Sequence, residues 1–299
     1  MRADLATRIR TRLQRSETVA PVALAITVGA LSAGGAIILR VLIRWVQWVF
    51  FHQGDRLSQA LNMESLNRIH LLIAPAVGMV LVSWMVRRWA PEARGHGVPE
   101  VQYAVRMLGG RIRARVAAVK ALASAVSIGS GGSVGREGPI VQIGSSLGST
   151  VAQGVGLGPP QVRIMVAAGA ASAIAATFNA PIAGVMFAME VILGSFAARS
   201  FGLVVIASVT ATAISQAVLG NEPAFRLLES FTLVSEWEFP LYLALGVFTG
   251  LIALAYVKSV YWFEDSFDAW QTSPTVKAVV GGLGIGAMGH HHQSVLVNA

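Results

Sequence analysis

Residues 19–51 carry no charged or amide side chain except Arg40, Arg44 and Gln47. At about 1.5 Å of helical rise per residue, that run outlasts the roughly 30 Å hydrocarbon core of a bilayer. Inside hydrocarbon a backbone N–H or C=O finds no water, so such a run must satisfy its own hydrogen bonds as a helix. It predicts a long, tilted membrane helix. The rest of the chain agrees, with 54% hydrophobic and only 13% charged residues over 299 positions, where soluble domains carry about 25% charged. No cysteine is present, which excludes disulfides and Cys-based metal sites. A net charge of +8 would suggest nucleic acid in a soluble protein. Here the basic residues bunch beside apolar segments, so membrane lipid is the expected partner and nucleic acid is not.

Those basic residues set the orientation. Residues 1–18 hold Arg2, Arg8, Arg10, Arg12 and Arg15 and read as a cytoplasmic segment, or as an amphipathic helix lying on anionic lipid. The apolar run that follows is too long for the core of a cleaved signal peptide. Arg40 and Arg44, one turn apart near the far end of the first span, read as snorkelling to the outer headgroups. Residues 52–70 are a polar outer connection and 71–85 a second span, whose exit carries Arg87, Arg88 and Arg94 back to the cytoplasm. Arg106, Arg111, Arg113, Arg115 and Lys120 then form a cytoplasm-facing basic cluster, ordinarily a solvated face and functionally a funnel for anions.

The middle of the chain is broken. Apolar segments at 114–128, 140–155, 162–178 and 182–193 mostly fall short of the 20 or so residues that span a bilayer. Glycine and proline interrupt them, the pattern of discontinuous helices that meet around a substrate near the midplane. Full spans return at 201–219 and 241–263, joined by an acidic outer loop at 220–239. A connection is expected at 264–274 and one more apolar segment at 276–288.

Two of the interruptions have chemistry. Gly129-Ser130-Gly131-Gly132-Ser133-Val134-Gly135-Arg136-Glu137-Gly138-Pro139 is a glycine-dense loop that delivers one carboxylate, Glu137, to the start of an apolar helix. Pro139 suits the first helical position, where its missing N–H is not needed. The N–H groups behind it are unsatisfied donors at the positive end of the helix dipole, a natural anion site. Glu137 at its mouth would occupy those donors when ionised and free them when protonated or swung aside: a titratable gate. Gly95-His96-Gly97-Val98-Pro99-Glu100 is a second glycine loop that leads into a helix, and so a second anion site of the same kind.

Other chemistries are excluded. A Walker loop needs Gly-Lys-Ser/Thr where this chain has Gly-Arg-Glu, and the dinucleotide fingerprint needs a strand–turn–helix setting. His290, His291 and His292 are consecutive, share no helix face and have no carboxylate beside them, so they read as an exposed tail rather than a metal site. No Ser/His/Asp arrangement is evident. No enzyme, cofactor or metal is expected.

Gly135-Arg136-Glu137-Gly138-Pro139 resembles the Gly-Lys/Arg-Glu-Gly-Pro motif of the CLC chloride channels and chloride/proton exchangers. Gly95-His96-Gly97-Val98-Pro99-Glu100 is similar to their Gly-Ser-Gly-x-Pro-Glu loop. Ala168-Gly169-Ala170-Ala171 and Phe178-Asn179-Ala180-Pro181-Ile182-Ala183-Gly184-Val185 resemble two further helix segments. The four stand in the family's order and spacing, and the resemblance runs from about residue 19 to 289. The resemblance implies an all-α membrane protein of the inverted-repeat type, with broken, tilted helices and one anion pathway per subunit of a homodimer. It implies chloride as the transported ion and a multi-pass place in a bacterial inner membrane. The domain layout expected is a basic segment at 1–18, a transmembrane domain at 19–289 and a tail at 290–299.

Carried over by position, the resemblance makes Glu137 the gate and His96, Gly97, Arg136, Gly138, Pro139 and Ile140 the anion-binding residues. His96 replaces the family's usual serine and could still donate one hydrogen bond, or two when protonated. Where exchangers commonly have an inner glutamate, one residue after Glu190, this chain has Val191, which cannot relay a proton. That tilts the expectation from chloride/proton antiporter toward chloride channel. The family's Gly-x-Phe-x-Pro loop and pore-facing tyrosine are not found after Gly289, so the chain is expected to hold the first inverted half and the start of the second, with a non-conducting fragment as a further alternative.

Overall fold

The computed structural model describes residues 19–52, 64–221 and 235–291, with backbone alone at 64–68 and 290–291. The basic start and most of the acidic loop lie outside the described residues. Every regular element among those described is helical. The chain falls into two compact units, one of residues 1–224 with 278–299, the other of residues 225–277.

In the first unit, α1 (Val19–Gln47) ends in a wider π turn, Trp48–His52. α2 (Glu64–Trp89) starts ahead of residue 71 and tolerates Pro75 inside it. The His70 ring donates to the Phe50 carbonyl and ties the turn that ends α1 to α2. A 3-10 turn (Pro91–Ala93) leads to α3 (Val98–Met107) and α4 (Arg115–Gly129). α5 (Glu137–Val155) and α6 (Pro159–Phe178) follow. α7 (Pro181–Phe187) passes into a second π turn, Ala188–Leu193, and α8 (Ala198–Leu219) completes the run. Asn179, the one non-glycine residue with positive φ (56°) among those described, stops α6. Its amide is held on both sides, donating to Asn221 at 3.0 Å and accepting from Gln216 at 2.7 Å.

The helices of this unit approach until backbones touch. A Cβ on Gly144 would collide with the Gly169 carbonyl, and one on Gly169 with the Gly144 carbonyl. Gly148, one turn on, meets the Met165 carbonyl in the same way. Small residues four apart are what membrane helices use for close crossing, because lipid offers no hydrophobic drive to hold them together. Buried serines add hydrogen bonds across the seams: Ser145 to Val166 O at 3.3 Å, Ser208 to Pro181 O at 2.9 Å and Ser215 to Ala176 O at 2.6 Å. Two large apolar clusters lie between the helices, one around Met165, Met189 and Ile192, the other joining Leu39 and Val46 of α1 to Ile140 and Ile143 of α5, and a small third joins Ala90, Ala93 and Val119.

The second unit is dominated by α9 (Glu238–Ala269), 32 residues with none buried. It runs on to residue 269, taking Glu264, Asp265 and Asp268 into the helix, so that the connection expected at 264–274 is confined to residues 270–273. α10 (Pro274–His291) begins here and ends in the first unit, where Gly282 lies on the backbone of Pro75 and Ala76 and Gly286 on that of Leu72. Five described stretches are long and apolar enough to cross a membrane: Val19–His52, Ile69–Trp89, Pro159–Phe178, Ala198–Leu219 and Glu238–Ala269.

Candidate functional site

Two helix starts meet at a point of backbone contact. α3 begins after Gly97, whose φ of 98° is open to glycine at little cost. α5 begins at Glu137. A Cβ on Gly97 would strike the Gly138 carbonyl, and one on Gly138 would strike the His96 carbonyl. Each glycine therefore makes room for the other chain. The positive ends of two helix dipoles are brought to one place, each equivalent to about half a charge.

α5 starts two residues earlier than Pro139 suggested. Arg136 is the N-cap with helical φ and ψ, so Glu137, Gly138 and Pro139 are its first three residues. Proline fits the third position for the same reason as the first, since the opening N–H groups have no intrahelical acceptor. The Ile140 N–H already donates to Arg136 O at 3.1 Å, and the Ile140 side chain is 1% exposed in the core. Glu137 and Gly138 are thus the donors α5 offers, and Pro139 and Ile140 shape the site without supplying one.

Glu137 is exposed and its carboxylate turns back over the Cα of Gly135, where a side chain would have no space. Arg136 is half-buried, with its guanidinium 5.5 Å from the centre of the Phe178 ring. The His96 side chain is exposed. All seven residues expected at the site therefore gather around the two helix starts.

Two residues that hold the site, Glu100 and Lys120, were named in the sequence without this role. Glu100 accepts a hydrogen bond from the Gly97 N–H at 2.6 Å, and its other oxygen lies against the Cα of Gly95. The three-residue spacing from Gly97 to Glu100 is that of a capping acid, a legible signal. Lys120 is 5% exposed and donates to Ala93 O at 3.0 Å and Gly95 O at 2.8 Å. It does not belong to the surface basic cluster. A single cation inside Val116–Val126's alanine-rich apolar run was the sign of a buried post.

Three others of the cluster, Arg111, Arg113 and Arg115, pair with Glu92 or line the cavity beside it. Glu92 pairs with Arg113 at 2.7 Å and Arg115 at 3.4 Å. Burial pushes the Glu92 carboxyl up, but its own backbone N–H, the hydrogen bond from Arg115 and the charges of Arg113 and Arg115 outweigh it and hold the group below its ordinary value. The backbone carbonyl of Glu92 accepts from buried Gln142 at 3.1 Å. A cavity of about 480 Å³, lined by Glu92, Glu100, Tyr103, Arg111, Arg113 and Gln142 among others, opens behind the 95–97 loop. Val191 lies in the second π turn, packed against the apolar core, with its carbonyl accepting from Gln102 at 2.8 Å. The neighbouring Glu190 is exposed.

The chain is similar to known proteins over most of its length. A family model described as voltage gated chloride channel matches residues 78–299. Chloride channel protein CLC-f of Arabidopsis thaliana is 33% identical over 242 residues, 76% of this chain and 30% of its own length. An H(+)/Cl(-) exchange transporter ClcA of Cronobacter sakazakii is 29% identical over 280 residues, 93% of this chain and 60% of its own. The fold is similar to a CLC-type fluoride/proton antiporter, with a TM-score of 0.75 at 20% identity over 91% of this chain and 65% of that one. It is also similar to a slow cyanobacterial Cl-/H+ antiporter, with a TM-score of 0.72 at 23% identity over 90% and 62%. The chain thus spans between about a third and three fifths of the curated relatives it matches.

Proposed function

The chain belongs to the voltage-gated chloride channel family, and on that footing we propose that it supplies one wall of an anion pathway through a membrane, with Glu137 as the gate. The observation that carries this reading is the crossing of Gly97 and Gly138, which converges two helix starts beside one exposed carboxylate. An anion seated there replaces water by backbone N–H groups and two dipole ends. The ionised Glu137 competes for the same donors; its neutral form releases them. His96, Gly97, Arg136 and Gly138 are the proposed first contacts of the anion, chloride is the proposed ion, and a homodimer the proposed assembly. No cofactor is required by this scheme.

Conductive flow is the first reading of the transport mode. Val191 stands packed in apolar surroundings where a proton carrier would be needed, so protons have no carboxylate to step from at that position. Chloride/proton exchange is the second reading, favoured by the relatives named as exchange transporters and by a gate that is itself titratable. Simultaneous recording of chloride and proton movement from liposomes holding the full-length protein separates them. Chloride efflux that leaves the proton gradient untouched supports a channel; efflux that drives protons uphill at a constant ratio supports exchange. Absence of chloride flux in both directions contradicts the anion-pathway reading altogether.

A further inference from the structure

The break between α6 and α7 is held from α8. Ser208 and Ser215, seven residues apart and so on one side of that helix, donate to the carbonyls of Pro181 at 2.9 Å and Ala176 at 2.6 Å. Gln216 donates to the side-chain oxygen of Asn179 at 2.7 Å, and the Asn179 amide donates to Asn221, just past the end of α8, at 3.0 Å. These hydrogen bonds fix residues 176–181, where α6 has stopped and α7 begins. A helix end needs some of them, because its last carbonyls have no intrahelical donor. The Asn179 side chain is a different matter. At a φ of 56° glycine would be the easier residue, and what asparagine adds is an amide for α8 to grip.

The residue before Asn179 reaches the gate loop. The Phe178 ring centre lies 5.5 Å from the guanidinium carbon of Arg136, inside the roughly 6 Å at which a cation is drawn to an aromatic face. Both residues are half-buried, which strengthens the attraction. Arg136 is the N-cap of α5, yet its side chain makes no capping hydrogen bond and extends to the ring instead. The same end of α6 packs on the next turn of α5, since Ala173 and Ala176 share an apolar cluster with Ile140 and Ile143. We propose that Asn179 and Phe178 are positioning residues for the gate. α8 holds Asn179, Asn179 sets the Phe178 ring, and the ring holds Arg136 and with it the first turn of α5, which carries Glu137 and Gly138. The proposal rests on the anion-pathway reading for the meaning of that turn, but its test does not.

Fluorine withdraws charge from the face of a phenyl ring and leaves its shape nearly unchanged, so a packing role does not respond to it. In the full-length protein in liposomes, Phe178 is replaced by mono-, di- and trifluorinated phenylalanine. Amide hydrogen exchange of residues 134–141 is expected to accelerate stepwise, roughly threefold to tenfold by the third fluorine, with exchange in α8 unchanged. Asn179→Gly keeps the positive φ without strain and gives up the amide. It should accelerate the same residues by a similar factor, and so should Gln216→Leu. In an Arg136→Met background the fluorine series should be flat, whereas Arg136→Lys should keep it. Exchange at 134–141 that ignores fluorination, or ignores both Asn179→Gly and Gln216→Leu, overturns the proposal. So does a fluorine series that persists in Arg136→Met. If Asn179→Gly or Gln216→Leu fails to fold, the fluorine series still decides. Chloride efflux from the same liposomes separates this proposal from the reading it rests on. Where both hold, the chloride concentration for half-maximal efflux rises along the series while the maximal rate stays near that of wild type. Exchange that responds without any change in efflux leaves the positioning in place and contradicts the role of that turn in the pathway.

Discussion

The carbonyl of His96 rests against the Cα of Gly138, leaving no room for a side chain between the loop that precedes α3 and the first turn of α5. Gly138→Ala forces the two apart. Overpacking of this kind costs about 1–3 kcal/mol, and it moves the donors of one helix start away from the other. Chloride flux in liposomes should fall at least tenfold, while the thermal midpoint in detergent drops only modestly. Unchanged flux would show that the crossing does not build the pathway.

Lys120→Met tests the post beneath the 95–97 loop. The substitution removes the donor that serves both Ala93 O and Gly95 O. A buried carbonyl left without a partner costs about 1–3 kcal/mol, so a clear loss of thermal stability is expected. Accelerated amide hydrogen exchange should be concentrated at residues 94–98. Exchange that rises uniformly over the chain would assign Lys120 to general stability instead.

Gly144→Val addresses the scaffold. The α5–α6 crossing has backbone against backbone at Gly144 and Gly169, and a branched side chain cannot be accommodated. Loss of the folded protein, read as aggregation on size exclusion, is the expected outcome. Gly154→Ala on the same helix, where nothing lies within 4 Å of the new atom, should behave as wild type.

Glu92 gives a pH signature. Its carboxyl titrates below the ordinary value of 4.5, so the folded state gains from its ionised form. That gain is whole above the ordinary value and is lost as pH falls through the lowered one. The Arg113 partner is 66% exposed, so the contribution is at most about 1 kcal/mol. Thermal midpoints of wild type and Glu92→Gln should differ by a constant, small amount well above the ordinary value of 4.5 and converge as pH falls below it and through the lowered one. A gap that widens on acidification would contradict the assignment.

Much of this architecture was legible because membrane burial leaves few options: long apolar runs became long helices, and the glycine–proline interruptions became the helix starts of the site. The misplacements have separate causes. Pro139 was read as a first helical residue, but any of the first few positions lacks an intrahelical acceptor, so proline alone cannot locate the start to one residue. Glu264, Asp265 and Asp268 looked like a connection on charge alone, although acidic residues do not stop a helix as proline does; α9 runs on to Ala269 and the break falls at residues 270–273, just ahead of Pro274.

The site was legible in its backbone and less so in its supports. Glycine spacing marks where chains cross, because the crossing forbids a Cβ. Lys120 was taken as a surface cation since a sequence does not show which face of a helix its neighbours cover. The π turn at Ala188–Leu193 left no trace, as its residues are as apolar as an α-helix's.

The central claim is that Glu137 gates an anion path. Its most direct measurement is chloride efflux as a function of pH from liposomes containing full-length wild type and Glu137→Gln. The account predicts that wild-type efflux rises on acidification as the carboxylate is neutralised, and that Glu137→Gln, neutral at every pH, is open and insensitive to pH. A Glu137→Gln protein that keeps the wild-type pH profile would contradict it.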